Sequence, residues 1–212
     1  TARELIYKSG KFIAAPSANL SGSPSPTTSK HVIDDLCGRV DYILCGDNSE
    51  IGLESTVVDM TSDIPVILRP GAVTLDMISK LIPGAVHDVS IDTEVAKPKC
   101  PGMKYKHYSP KADVEVVMGD RESVKNYISE KLNEENNSAV LTCFGHDYEN
   151  AVCVLNAGNT MNEYASGLFY NLRVFDEYGV NKVYAEFYEA DGIGVAVRNR
   201  LFKAAGNKIT KV

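Results

Sequence analysis

The stretch 97–111 limits this chain most: it holds Pro98, Pro101 and Pro110 and no acidic residue. Proline lacks the amide proton and clashes with the preceding turn, so three of them exclude a regular helix there. No element can run continuously from one side to the other. The same stretch carries Lys97, Lys99, Lys104, Lys106 and Lys111, with Tyr105, His107 and Tyr108 among them. A passive tether is more often rich in Gly and Ser or mixed in charge. Cations on a proline-kinked frame describe a segment that lies over something anionic. The expected organisation is a first region at 1–85, a linker at 86–112 and a second region at 113–212.

The second region alternates strand and helix. Strands are expected at 114–118, 139–144, 151–155 and 182–187, and helices at 122–132, 161–178 and 194–205, with Gly179 ending the long one. That is the pattern of a small doubly wound α/β domain. No G-x-G-x-x-G follows its first strand, so a dinucleotide site is not expected. Gly192-Ile193-Gly194 reads first as a turn into the last helix and only second as an anion site. The first region mixes short strands with turns. Arg3-Glu4-Leu5-Ile6 reads as the middle of a helix with no start signal, as if the chain were cut from something longer. Residues 12–15 form a strand running into Pro16. Thr27 or Thr28 caps a helix with Val32, Ile33 and Leu36 on its apolar side and Gly38 as its stop. A strand follows at 40–44. Residues 55–60 and 65–68 form paired strands, and Thr74 caps a helix bearing Leu75, Ile78, Leu81 and Ile82.

Composition narrows the function classes. With 212 residues, 44% hydrophobic and 24% charged, the chain has the mix of an ordinary soluble globular protein. Its net charge of -6 speaks against duplex nucleic acid as the main ligand, although a local basic patch is compatible with it. Cys37, Cys45, Cys100, Cys143 and Cys153 make no C-x-x-C pair and read as reduced thiols of a cytoplasmic protein. The scattered histidines offer no metal cluster, and no apolar run is long enough to span a membrane.

Three constellations carry chemistry. Residues 14–28, from Ala14-Ala15-Pro16-Ser17-Ala18-Asn19-Leu20-Ser21-Gly22 through Ser25 to Thr28, supply small residues, hydroxyls and an amide ahead of a helix N-terminus. Such a loop can cradle phosphate, or it can be a plain Ser/Pro surface turn. Gly52-Leu53-Glu54-Ser55-Thr56-Val57-Val58-Asp59 either points a hydroxyl into a pocket or is an edge strand with solvated ends. Ile67-Leu68-Arg69-Pro70-Gly71 places an arginine at the end of an apolar strand, facing a cleft or making a surface ion pair. Arginine offers phosphate a planar fork that lysine cannot copy.

Taken together these segments resemble the YrdC-type threonylcarbamoyl-AMP synthase domain. Pro101-Gly102-Met103-Lys104-Tyr105-Lys106-His107-Tyr108-Ser109-Pro110 resembles the interdomain linker of that family's long form. The region ending Gly194-Val195-Ala196-Val197-Arg198-Asn199-Arg200-Leu201 resembles its C-terminal accessory domain. The resemblance covers essentially the whole chain. It implies the C-terminal half of a YrdC-like α/β domain followed by a small Rossmann-like, doubly wound α/β domain.

It also implies roles. Ser17, Asn19, Ser25, Arg69 and Tyr108 would contact ATP or its adenylate product. Ala15, through its backbone, and Ser55 would line a threonine pocket. Ser17 and Asn19 match the Ser-x-Asn half of the family's nucleotide tetrad. The Lys-x-Arg half has no counterpart here, so this stretch of chain by itself is expected to be inactive. The implied reaction joins L-threonine, bicarbonate and ATP into threonylcarbamoyl-AMP and pyrophosphate. Mg2+ rides on the triphosphate, and a separate complex uses the product to modify tRNA. No protein nucleophile or base is implied. For the synthase itself only a weak RNA contact is expected; a noncatalytic YrdC-like module that binds nucleotide or RNA is the competing reading. A carbamoyl-transferring maturation enzyme with a related domain is another, and it would lack this linker and accessory domain as a pair.

Overall fold

The computed structural model describes residues 2–89 and 108–212. The expectations about residues 97–107 lie outside the described residues.

The second region is built on a five-stranded sheet. Its strands are β4 (Asp113–Met118), β5 (Ser138–Thr142), β6 (Val154–Asn156), β7 (Lys182–Phe187) and β8 (Ile209–Lys211), in spatial order β6-β5-β7-β4-β8. Every pairing is parallel. Parallel strands need crossovers, and helices α4 (Arg121–Glu134), α5 (Met161–Tyr178) and α6 (Ile193–Ala204) supply three of them. Alternation along the strands sorts the side chains by face. Val114, Val116, Ala139, Leu141, Val183, Ala185 and Phe187 pack with Leu168, Phe169, Leu172, Val197 and Leu201 of α5 and α6. On the other face Val117, Val140 and Tyr184 pack with Val124, Ile128 and Leu132 of α4. Both faces are covered, as the doubly wound reading requires, and runs such as Val-Glu-Val-Val-Met follow from burial on both sides.

Caps set the helix ends. Thr160 and Glu163 form a reciprocal capping box at α5, which ends at Gly179 with φ 65°. Asp120 accepts the amides of Glu122 and Ser123 at the start of α4. Gly192, with φ 61°, caps α6 without a side-chain bond, the turn-into-helix reading of Gly192-Ile193-Gly194.

The first region contains α1 (Ala2–Ser9), α2 (Ser29–Leu36), β1 (Val57–Asp59), β2 (Val66–Arg69), α3 (Leu75–Ser79) and β3 (Val86–His87). Thr28, rather than Thr27, caps α2, accepting from the amide of His31. β1 and β2 are antiparallel, and β3 adds in parallel to β2. Two expected strands are absent: residues 12–15 and 40–44 are extended or turn-like, with Phe12 and Leu44 exposed. Neither has a neighbouring strand among the described residues, and a strand's amides and carbonyls need a ladder partner. α3 is shorter than its apolar pattern predicts and leaves Leu81 84% exposed.

The two regions meet along α5 and α6. Arg173 of α5 forks onto Asp35 at 3.1 and 2.7 Å and also donates to the Pro24 carbonyl at 2.6 Å. That hydrogen bonding holds the Asp35 carboxyl below its usual range. Ser166 donates to the Glu50 carbonyl at 2.8 Å, and Arg200 of α6 meets Glu54 at 2.9 Å. Gly52 lies against α5 so closely that a Cβ would sit 2.3 Å from the Ser166 carbonyl oxygen, and its φ is +75°. Both the contact and the left-handed backbone exclude a side chain there. Gly52→Ala is expected to lower the unfolding free energy by about 2 kcal/mol. Denaturant titration checks this, and an unchanged midpoint would show that the loop does not bear on α5.

Candidate functional site

The loop 14–28 is held from both ends. The Asn19 side-chain amide donates to the carbonyls of Leu20 at 2.9 Å and Ser23 at 3.2 Å, closing a turn. Its Oδ1 is buried with no hydrogen-bond partner among the described residues. The Leu20 amide reaches Asp35, the acid gripped by Arg173. At the far end buried His31 accepts the Thr27 amide on Nδ1 at 3.2 Å, and its ring lies 5.6 Å from that of Tyr170. Burial, then the Arg173 charge, lowers the His31 pKa, which favours the neutral, accepting ring.

Ser25 sits inside this frame, 8% exposed, and donates to Glu54 Oε1 at 2.6 Å. The other carboxylate oxygen of Glu54 takes the Arg200 Nε–H at 2.9 Å. Arg200 is 1% exposed, and its Nη1 donates to Asn199 at 3.0 Å. Burial alone would raise the Glu54 carboxyl. The Arg200 charge and the hydrogen bonds from Ser25 and Arg200 outweigh it and hold the group below its usual range.

Tyr108 closes the cluster. It is 2% exposed, has φ 67°, and its ring lies 5.0 Å from Phe169 and 5.9 Å from the Arg200 guanidinium. Burial, then the Glu54 charge, pushes its hydroxyl up to about 12, so it stays a donor. Its successor Ser109 ties the chain to the loop, through its amide to the Gly22 carbonyl at 3.2 Å, and to α6, through its hydroxyl to the Ala204 carbonyl at 2.5 Å. A tyrosine at positive φ is costly for its side chain, and these tethers fix it.

Next in sequence to Glu54, Ser55 meets the end of β2. Arg69 donates through Nε to the Ser55 carbonyl at 3.0 Å and through Nη2 to its hydroxyl at 3.3 Å. Gly71 follows, so close that a Cβ would lie 2.5 Å from the Thr56 amide nitrogen. The structure thus brings Ser25 and Tyr108 to Glu54, and Arg69 to Ser55, the next residue in the chain. Ala15 and Ser17 lie on the exposed approach to the Asn19 turn. The sequence reading passed over Glu54 and Arg200 as site residues. For Arg200 a signal existed: it lies one turn from Val197 and Ala204 on the buried side of an apolar helix, and a cation there needs a partner.

Among the described residues no group of three or more His, Cys, Asp or Glu is arranged to hold a metal ion, and no helix is long and apolar enough to cross a membrane.

Comparison with known proteins divides the chain between residues 71 and 73. Residues 73–206 match a family model described as threonylcarbamoyl-AMP synthase, C-terminal domain, and residues 1–71 match one described as telomere recombination. The chain is 44% identical to the threonylcarbamoyl-AMP synthase of Pyrococcus abyssi, over 100% of this chain and 63% of that protein. It is 42% identical to the Bacillus subtilis protein of that name, over 98% of this chain and 61% of that one. A crystal structure of P. abyssi Sua5 complexed with L-threonine superposes with a TM-score of 0.92 at 42% identity, covering 100% of this chain and 63% of that chain. The chain therefore spans about three fifths of the length of these relatives. With more than half of its residues inside the first of those models, the chain belongs to the family of the threonylcarbamoyl-AMP synthase C-terminal domain.

Proposed function

We propose that the protein carrying this chain makes threonylcarbamoyl-AMP from L-threonine, bicarbonate and ATP. The observation that carries the reading is the convergence around Glu54. Ser25 and Tyr108, two candidate nucleotide contacts, come from separate segments, and Arg69, a third, is bonded directly to Ser55 of the candidate threonine pocket. A relative at 42% identity is known in complex with L-threonine.

In this reading residues 1–85 belong to the catalytic domain, 86–112 to the linker and 113–212 to the accessory domain. Ser17, Asn19, Ser25, Arg69 and Tyr108 serve the nucleotide, and the Ala15 backbone and Ser55 serve threonine. The threonine amine adds to carbon dioxide and loses a proton, or condenses with bicarbonate and loses water, and gives an N-carboxylate. One carboxylate oxygen bonds to the α-phosphorus of ATP as the bond to the bridging oxygen breaks, and pyrophosphate leaves with that electron pair. The work of the protein is to hold two anions together and to stabilise charge on the phosphates. Hydroxyls, amides and an arginine fork suit that work without a nucleophile. Mg2+ arrives with the triphosphate, held by phosphate oxygens and water. The product passes, in the cytoplasm, to a separate complex that modifies tRNA. Tyr108 covers the nucleotide and keeps water from a readily hydrolysed anhydride.

The natural protein is expected to release pyrophosphate from ATP only with threonine and bicarbonate both present. Release at the same rate without threonine would overturn the reading. Arg69→Lys keeps the charge and loses the fork, which costs roughly 1.5–3 kcal/mol of nucleotide interaction. Isothermal titration with ATP should therefore show affinity weakened about ten- to a hundredfold. Wild-type affinity in Arg69→Ala would remove Arg69 from the site.

A further inference from the structure

The parallel sheet has a topological switch point of its own. From β5 the chain moves outward to β6, whereas from β7 it crosses over α6 in the opposite direction to β8. The carboxyl ends of neighbours β5 and β7 therefore part, and ligands of open α/β sheets bind where strand order reverses in this way. Glu186, with 0% exposure, stands there at the end of β7. Its Oε2 takes the Thr142 hydroxyl at 2.9 Å and the Cys143 amide at 2.8 Å. Its Oε1 takes His146 Nδ1 at 2.8 Å and the Tyr148 hydroxyl. Alternation puts Thr142, Glu186 and Tyr188 on the α4 side of the sheet.

This arrangement fixes His146. With Nδ1–H given to Glu186, the neutral ring keeps its lone pair on Nε2. Among the described residues the ring's hydrogen bond is made by Nδ1, not by that nitrogen, and the side chain is 19% exposed. The Tyr188 hydroxyl is buried and has no hydrogen-bond partner among the described residues. The Phe144 and Tyr188 rings lie 5.7 Å apart. Arg121, the first residue of α4, stacks its guanidinium 4.2 Å from the Phe144 centroid and 6.0 Å from that of Tyr188. No ion pair engages Arg121 among the described residues. Stacking holds the guanidinium plane and leaves its N–H edge free for an oxyanion. Burial, then Glu186, drives the Cys143 thiol up, so no thiolate competes for the role.

We propose that this switch point forms a second small-molecule site, which takes a phosphate monoester. Arg121 and the Tyr188 hydroxyl donate to its phosphate oxygens, and His146 Nε2, braced by Glu186, accepts a P–OH or neighbouring hydroxyl proton. A carboxylate ligand would have no proton to give Nε2. A metal would find one histidine nitrogen and no cluster of further ligands among the described residues. The proposal is independent of the reaction assigned above.

The test is histidine-detected NMR of the full natural protein, with the His146 resonance assigned by its loss in His146→Gln. Ribose 5-phosphate, AMP and inorganic phosphate are titrated in turn. The expected result is a saturable His146 shift with the two esters, weakened at least tenfold in Arg121→Ala and retained in Arg69→Ala. Arg121 is exposed, so its replacement leaves the fold intact. A response to inorganic phosphate alone would exclude an ester ligand. The absence of any His146 response, or equal affinity in Arg121→Ala, would reduce the Glu186 network to a brace for the loop 143–149 and overturn the proposal.

Discussion

A guanidinium with 1% of its surface exposed must be neutralised where it stands, and Arg200 is neutralised by Glu54, a residue of the other region. Desolvating both charges costs several kcal/mol per ion, returned only when geometry and secondary hydrogen bonds are good. Ser25, Asn199 and Tyr108 supply part of that geometry, while Arg200 Nη2 has no hydrogen-bond partner among the described residues. The candidate site is thus not a property of the first region alone. The carboxylate that orients Ser25 is held by a helix of the second region, and so is the ring of Tyr108, through Phe169.

The remaining contacts between the regions serve the same surface. Arg173 fixes Asp35 and the Pro24 carbonyl, and with them Leu20 and Pro24 of the loop that carries Asn19 and Ser25. Ser166 and Gly52 bring the strand-opening segment of Glu54 against α5. The exposed Lys30–Glu177 pair lies on the same seam, but screened surface pairs contribute little. The doubly wound sheet supplies the rigid backing that lets α5 and α6 present these groups at fixed positions.

Much of this was legible in the sequence because periodicity and caps are local. Val114, Val116 and Met118, or Val124, Ile128 and Leu132, announce their faces, and Thr160 with Glu163 and Gly179 marks both ends of α5. β3 and β8 were missed because two or three residues at a sheet edge carry no period. The strands expected at 12–15 and 40–44 had the composition but no ladder partner, which composition does not encode. The Glu54–Arg200 pair spans 146 residues, and nothing local links its members. Glu186 was readable in part, as an acid between Ala185 and Phe187 in an apolar strand, although its four donors were not.

The claim that both regions build one site through Glu54 and Arg200 is tested most directly by a double-mutant cycle on unfolding free energy. It uses Arg200→Met, Glu54→Gln and the pair together. Removing one partner leaves a buried uncompensated charge and should cost about 3–5 kcal/mol. The double variant should lose less than the sum of the singles by at least about 2 kcal/mol. Additivity within about 0.5 kcal/mol would show two side chains that do not depend on one another, and would contradict the account.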